Sequence, residues 1–415
     1  MAGGLMQLVA YGAQDVYLTG NPKVTFFQAV YKRHTNFAME NIEQTVNGTA
    51  TAGGRVSVTV ARNGDLISDM YIELTCNTAP TITEDAWIAE AAISTVELSI
   101  GGQRIDKHYQ KWWRLYAELY MDESAKLNYG KMTSATIDNE KVYLPLIFFF
   151  NRNPGLALPL IALQYHEVRI DIDLASTYDL FDSLKVWGNY IYLDTEERRR
   201  FAQKGHEYLI EQVQHTGSDS LAAAGSTKQI RLSYNHPVKE LVWCTTESSN
   251  VIGDTNGVWN FTDTSVTVSS AMASVADSNV AIAPNAAGAP ALYGLAQFDE
   301  ETSGPLDSFK LVLNGQDRFK EQGGKYFNSV QPFVHHSSSP MPGIYSYSFA
   351  LKPEEHQPTG TCNFSRIDNA QVSISVKGTS SPRASASTKN TLNMFATNYN
   401  VLRIQSGMGG LAFSN

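Results

Sequence analysis

The chain has 415 residues, 43% of them hydrophobic and 18% charged, a composition that excludes wholesale disorder and a length that exceeds one ordinary core, so two domains are expected. Its three cysteines, Cys76, Cys244 and Cys362, are far apart and odd in number, which argues against a disulfide framework or a cysteine zinc site and for a reducing compartment. The formal net charge of −9 arises locally: residues 240–309 hold nine carboxylates and no Lys or Arg, and the other acids balance the 32 bases, leaving no broad basic face for nucleic-acid phosphates.

In chain order, the opening MAGGLMQLVAYGAQDVYLTG has neither the basic start nor the long apolar run of a secretory signal, and Ala2 stands where myristoylation requires Gly. RVSVTVAR places Val56, Val58 and Val60 on one face, and DMYIELT and STVELSI follow with the same period of two. This is the pattern of antiparallel strands with one core side and one wet side. LSIGGQRIDKHY (98–109) reads as a hairpin in which Gly101 and Gly102 supply the positive φ of a two-residue type I′ turn. The one clear helix is YQKWWRLYAELYMDE, with Trp112, Tyr116, Leu119 and Tyr120 on one face as core packing and Lys111, Arg114, Glu118 and Asp122 elsewhere.

The most apolar stretch, VYLPLIFFFNRNPGLALPLIAL from 142, is broken by Asn151, Arg152, Asn153 and three prolines, so it is not a membrane span. HEVRIDIDL alternates Val168, Ile170, Ile172 and Leu174 with Arg169, Asp171 and Asp173. The aspartates 171, 173, 179 and 182 suggest a calcium loop, but Ser176 occupies the position that needs Gly, and a strand face followed by a turn is the reading taken. Arg198, Arg199 and Arg200, beside Glu196 and Glu197, read as a solvated, self-paired linker.

LVWCT is a strand, and from Thr245 to Gly304 an Ala-, Ser-, Thr-, Asn- and Gly-rich stretch reads as long exposed loops. FKLVLNG, YSYSFAL and AQVSISV add strands, and LVLNGQDRF (311–319) repeats the hairpin with Asn314 and Gly315 as its turn formers. Superposing Gly315 on Gly102 aligns Leu311 with Leu98, Leu313 with Ile100 and Gln316 with Gln103. Each hairpin is followed by an aromatic strand, a loop with Pro and Gly (Pro154-Gly155; Pro358 and Gly360) and an alternating strand. The chain is therefore an internal duplication of an all-β domain, joined around DTEERRRFAQKGHEYL, and a jelly roll or related sandwich is the expected unit.

Signatures of catalysis fail. G-x-S-x-G, H-E-x-x-H and G-x-x-x-x-G-K-[ST] are absent, and Gly323-Gly324-Lys325 lacks the first glycine and the hydroxyl residue. GMGG at 407–410 reads as a flexible tail. His335 and His336, adjacent, would point to opposite faces of a strand and not share a metal. The sequons at Asn47, Asn260 and Asn363 read as chance. No catalytic, cofactor-binding or metal-binding residue is assigned.

GAQDVYLTGNPKVTFFQAVYKRHTNFAMENIEQTVNG, LSIGGQRIDKHY, PLIFFFNRNPGLALPLIALQYHEV, LNGQDRF, ALKPEEHQPTGTCNFSRIDNA and YNVLRIQSGMGGLA closely resemble the major capsid protein of chlorella viruses and related large icosahedral DNA viruses. The likeness spans essentially the whole chain and weakens from about Thr245 to Gly304 and around 375–390. It implies a tandem double jelly roll, all-β, of two eight-stranded antiparallel sandwiches with a few short helices in loops. The divisions would be an N-terminal arm at 1–26, a first roll at 27–203 and a second at 204–415.

The resemblance further implies a structural protein of the outer virion shell, forming homotrimeric pseudo-hexagonal capsomers assembled in the host cytoplasm. Its partners would be itself, minor capsid proteins beneath the shell and a nearby internal membrane that it does not span, with no nucleic-acid contact. It implies no cofactor, but covalent N-linked glycans on outer asparagines, the candidates being Asn250, Asn256, Asn260, Asn279 and Asn285. The competing reading is a double β-sandwich carbohydrate-binding or carbohydrate-active protein, which wants exposed Trp and a convergent carboxylate pair. A tandem cupin enzyme wants His-x-His, which is absent.

Overall fold

The computed structural model describes residues 33–77, 87–135, 139–247, 304–379 and 387–413, the N-terminal positions 6, 9–10, 12–20, 25–29 and 31, and the single positions 259 and 261. The chain divides into two compact units, Met1–Phe37 and Ala38–Asn415. The first carries a short helix, Ala13–Thr19, whose Asp15 carboxylate accepts a hydrogen bond from the Gly12 amide at 3.0 Å. Phe26, Phe27 and Tyr31 in the same unit are almost fully exposed.

Among the described residues the first half of the chain supplies ten strands: β1 (Phe37–Gln44), β2 (Val46–Asn47), β3 (Arg55–Thr59), β4 (Leu66–Cys76), β5 (Ile93–Ile100), β6 (Gln103–Tyr109), β7 (Lys141–Pro145), β8 (Leu158–Pro159), β9 (Val168–Leu174) and β10 (Phe181–Leu193). The second half supplies ten more: β11 (His206–Ser220), β12 (Lys228–Leu232), β13 (Pro237–Thr246), β14 (Leu306–Leu313), β15 (Gln316–Asp317), β16 (Ile344–Ser348), β17 (Cys362–Asn363), β18 (Ala370–Val376), β19 (Thr391–Gln405) and β20 (Met408–Leu411).

They form four sheets, two per half, and the two pairs have the same wiring. In the first half one sheet runs β1-β10-β4-β7 with β8 also on β4; in the second, β11-β19-β13-β16 with β17 also on β13. The facing sheets are β2-β3-β9-β5-β6 and β12-β18-β14-β15. Strand for strand, β5-β6 answers to β14-β15, β9 to β18, β3 to β12 and β10 to β19. The fold is a double jelly roll, and its repeated topology is independent of the hairpin sequences that suggested it.

Alternation builds the cores. In β9, Val168, Ile170, Ile172 and Leu174 are buried while Arg169 and Asp171 pair with each other at 2.8 Å on the other face. Asp173 binds Arg55 at 2.6 Å and Thr95 at 2.7 Å. The suspected calcium loop is thus a strand whose Asp171 and Asp173 pair with arginines, followed by a short 3-10 turn, Ser176–Leu180. No cluster of metal-ligating side chains occurs among the described residues.

The β13 strand departs from simple alternation and is buried on both faces. Leu241 and Trp243 join Phe309, Phe327 and Tyr345 in the second core. Val242 and Cys244, with Phe395, Leu402 and Ile404 of β19, belong to the first core. One sheet of the second sandwich therefore serves two cores, and its near-continuous apolar run follows from having no wet side.

Three local expectations are corrected. GMGG is not a tail: Met408–Leu411 is β20, paired with β19 through a tight Ser406-Gly407 turn at φ 54° and 81°. His335 ends a short helix, Gln331–His335, so the two histidines do not lie on a strand, and only His336 is drawn inside. The arginine cluster lies on helix Thr195–Gln203; Arg199 pairs with Glu196 at 3.9 Å, but Arg198 reaches across to Asp65 at 3.0 Å.

Candidate assembly interface

A defined set of residues fixes one sandwich against the other. The turn formers set the ends of two equivalent hairpins. Gly101 and Gly102 have φ 58° and 81°, Asn314 and Gly315 have φ 49° and 80°, and each pair joins directly opposed residues, Ile100 with Gln103 and Leu313 with Gln316. These are left-handed angles that Gly and Asn adopt most easily. The first hairpin is engaged by the other half: Gln103 Oε1 accepts from the Leu411 amide at 3.2 Å, and His166 Nδ1 lies 2.8 Å from the Gly409 carbonyl.

Helix Gln110–Tyr120, directly after β6, is the main bolt. Its aromatic residues, with Tyr109 at the end of β6, cover the outer face of the β11-β19-β13-β16 sheet: Trp112 lies 5.6 Å from the ring of Phe395, and Tyr109 packs edge-on to His215 at 4.9 Å. Ser338 donates to the helix's terminal carbonyls, at 2.7 Å from that of Glu118, and the Met341 amide donates to the Glu118 carboxylate at 3.2 Å. The helix is not amphipathic toward solvent as its charges suggest. Arg114 is 1% exposed and Glu118 6%.

Those charges are buried in opposed sets. Arg114 lies 3.6 Å from Glu90 and 3.3 Å from Glu118, with its guanidinium 3.7 Å from the centre of the Trp87 ring. Burial pushes the Glu90 carboxyl up to about 7, against the opposing pull of Arg114 and of the Tyr129 hydroxyl that donates to it at 2.6 Å. A second set crosses the seam. Arg152 meets Glu211 at 2.9 Å, and Glu211 also binds Lys239 at 2.8 Å, while Lys239, 1% exposed, donates to the Pro353 carbonyl at 2.7 Å. Burial lowers the Lys239 ammonium, although Glu211 opposes this; burial works against the Glu211 carboxylate too, yet the two cations hold it below its usual range.

The third set is centred on His336, whose side chain has no solvent contact. Nε2 lies 2.6 Å from Glu240 and Nδ1 3.4 Å from Glu354, and Tyr120 of the bolt helix donates its hydroxyl to the other oxygen of Glu240. Burial disfavours a charged imidazole, but the two carboxylates prevail and raise its pKa to about 9. A charged ring between two acids is the arrangement expected where a buried carboxylate must be neutralised, and it leaves no base free for catalysis.

Sequence reasoning singled out the helix and the hairpins but gave no role to Arg152, Glu211, Lys239, Glu240 or His336. The available signal was a charge pair inside an apolar strand, Lys239-Glu240 in PVKELVWCT. The glycan candidates Asn250, Asn256, Asn260, Asn279 and Asn285 lie outside the described residues. The carboxylates buried at the seam are each matched by a base or a donor, so the convergent free acid pair wanted by a sugar hydrolase is not formed there.

Comparison with known proteins gives a consistent result. Residues 25–194 match the family model for the major capsid protein N-terminus, and 197–410 that for the large eukaryotic DNA virus major capsid protein. The chain is 46% identical to the major capsid protein of Paramecium bursaria Chlorella virus 1 and 42% identical to that of Pyramimonas orientalis virus, each comparison covering 100% of both chains. Among solved structures, the PBCV-1 capsid protein VP54 superposes with a TM-score of 0.78 at 40% identity, over 94% of this chain and 100% of that one. The Faustovirus major capsid protein gives 0.70 at 13% identity, over 97% and 96%, a likeness of fold.

Proposed function

Because the chain belongs to the major capsid protein family of large eukaryotic DNA viruses, we propose that its copies assemble as homotrimeric capsomers with a pseudo-hexagonal outline. It is a structural, non-enzymatic protein of the virion capsid. The observation that carries the trimer is the doubled topology: two sandwiches of one wiring, locked by a sheet buried on both faces. A rigid pair of like wedges turns three-fold symmetry into six near-equivalent contacts, which tile a shell without any active site. Size-exclusion chromatography with light scattering tests this. The expected particle is three times 45.7 kDa, and a persistent monomer at assembly concentrations overturns the reading.

The remaining roles rest on the same family membership. The N-terminal unit, with exposed Phe26, Phe27 and Tyr31, suits contact with minor capsid proteins beneath the shell, next to an internal membrane, in particles assembled in the host cytoplasm. No helix of the described residues is long and apolar enough to cross that membrane. To the stretch from about 245 to 304, which has no Lys or Arg and is rich in small polar residues, we assign the covalent glycans, on one or more of Asn250, Asn256, Asn260, Asn279 and Asn285.

A further inference from the structure

The seam inside the chain joins unlike elements. The helix that follows the hairpin of the first sandwich covers the outer face of the β11-β19-β13-β16 sheet of the second. Duplication means that each of these elements has a counterpart, and both counterparts are open. After the β14-β15 hairpin come the π-helical segment Tyr326–Val330 and the α-helix Gln331–His335 that continues it. They present Val330, Phe333 and Val334 at 45%, 89% and 61% exposure, beside Leu351 at 73%. His335 Nδ1, 3.0 Å from the Leu351 carbonyl, ties the two segments together.

The other counterpart is the outer face of the β1-β10-β4-β7 sheet. Tyr71, Tyr143 and Trp187, each partly exposed, alternate there with the core residues Ile72, Leu144 and Val186. Tyr71 and Tyr143 meet edge-on at 5.7 Å, and Met39 on β1 is 53% exposed. The corresponding strands of the second sandwich bury this face completely over Val242, Cys244 and Phe395. Of the charges on the open face, Lys141 pairs with Glu73 at 2.8 Å and Lys185 with Glu43 at 3.3 Å, and Asp69 accepts a hydrogen bond from Asn189 at 3.4 Å. An apolar centre with a self-satisfied polar margin has the make-up of an interface, whereas scattered single apolar residues do not.

We propose that the patch of Val330, Phe333, Val334 and Leu351 docks on the outer face of the β1-β10-β4-β7 sheet of a second copy of this chain. The contact repeats between copies the seam made within each. A ring of six alternating sandwiches has three seams inside chains and three between them, and like geometry at all six lets a head-to-tail contact close. The inference rests on the trimer reading and adds which surfaces meet.

Two experiments on the full-length protein decide it. With p-benzoylphenylalanine in place of Phe333, illumination should produce inter-chain adducts whose peptides carry the outer face around Met39, Tyr71, Tyr143 or Trp187. Phe333→Glu should convert the trimer to a monomer with unchanged circular dichroism, since the side chain is 89% exposed in the single chain. If wild type is a trimer, adducts elsewhere or confined to the same chain overturn the contact and leave the trimer standing. So does a Phe333→Glu trimer of undiminished mass. A monomeric wild type overturns both. Should Phe333→Glu fail to fold, the adduct map, which keeps an aromatic ring at the site, decides the contact by itself.

Discussion

Replacing His336 by Gln removes the charged ring from between Glu240 and Glu354 and should change how stability depends on pH. The folded pKa of about 9 lies above the ordinary 6.5, so the native state holds the proton more tightly than the unfolded chain. The stabilisation is therefore complete below pH 6.5 and is lost as pH rises through 9. The difference between those values corresponds to about 3 kcal/mol, or roughly three hundredfold in the unfolding constant. Urea unfolding at fixed protein concentration, followed by tryptophan fluorescence at pH 6 and 9.5, gives the comparison; concentration is held because association contributes to apparent stability. Wild type should lose about 3 kcal/mol more than His336→Gln over this interval, since subtraction removes titrations common to both. Equal losses would refute the claim that His336 is held protonated by the two acids.

Two further outcomes follow from the seam and the glycan assignment. Arg152→Met should lower stability by about 3 kcal/mol, because it strands the buried Glu211 with Lys239 alone, and its combination with Glu211→Gln should cost less than the two single changes together; strict additivity in denaturant midpoints would show that the pair is not coupled. A glycopeptide map of the protein taken from virions should find sugar on at least one of Asn250, Asn256, Asn260, Asn279 and Asn285, and fully unmodified peptides across them would remove the glycan assignment.

The two halves solve the same packing problem under different constraints. In the first sandwich the β4 strand alternates, with Met70, Ile72 and Leu74 inside and Asp69 and Tyr71 turned outward. In the second, β13 has no outward side, so Lys239 and Glu240 are trapped and require Glu211, Pro353, His336 and Tyr120 as partners. Each such group, left alone, would carry a desolvation cost of several kcal/mol. The network is therefore a condition for bringing the two sandwiches together, and it ties their orientation to hydrogen-bond geometry, which is stricter than apolar contact.

Local chemistry made much of this legible in the amino-acid order. The period of two in RVSVTV and VRIDIDL, the paired residues of the two turns and the Trp- and Tyr-rich helix are set by neighbours a few residues away, so the strands, both hairpins and the duplication can be read directly. The destination of a polar residue is not local. Arg114 and Glu118 have the spacing of a wet helix face, and His336 sits in a run of His and Ser; only the packing of separate segments buries them, Trp87 and Glu90 against Arg114, Ser338 and Met341 against Glu118, and Tyr120 and Glu240 against His336. The same holds for GMGG, whose glycines suggested freedom until β19 supplied an edge for them to pair with. Sequence alone determined that this protein consists of two like β units. Tertiary structure decided which faces they share and which stay open, because burial is a property of the whole fold and not of any stretch of it.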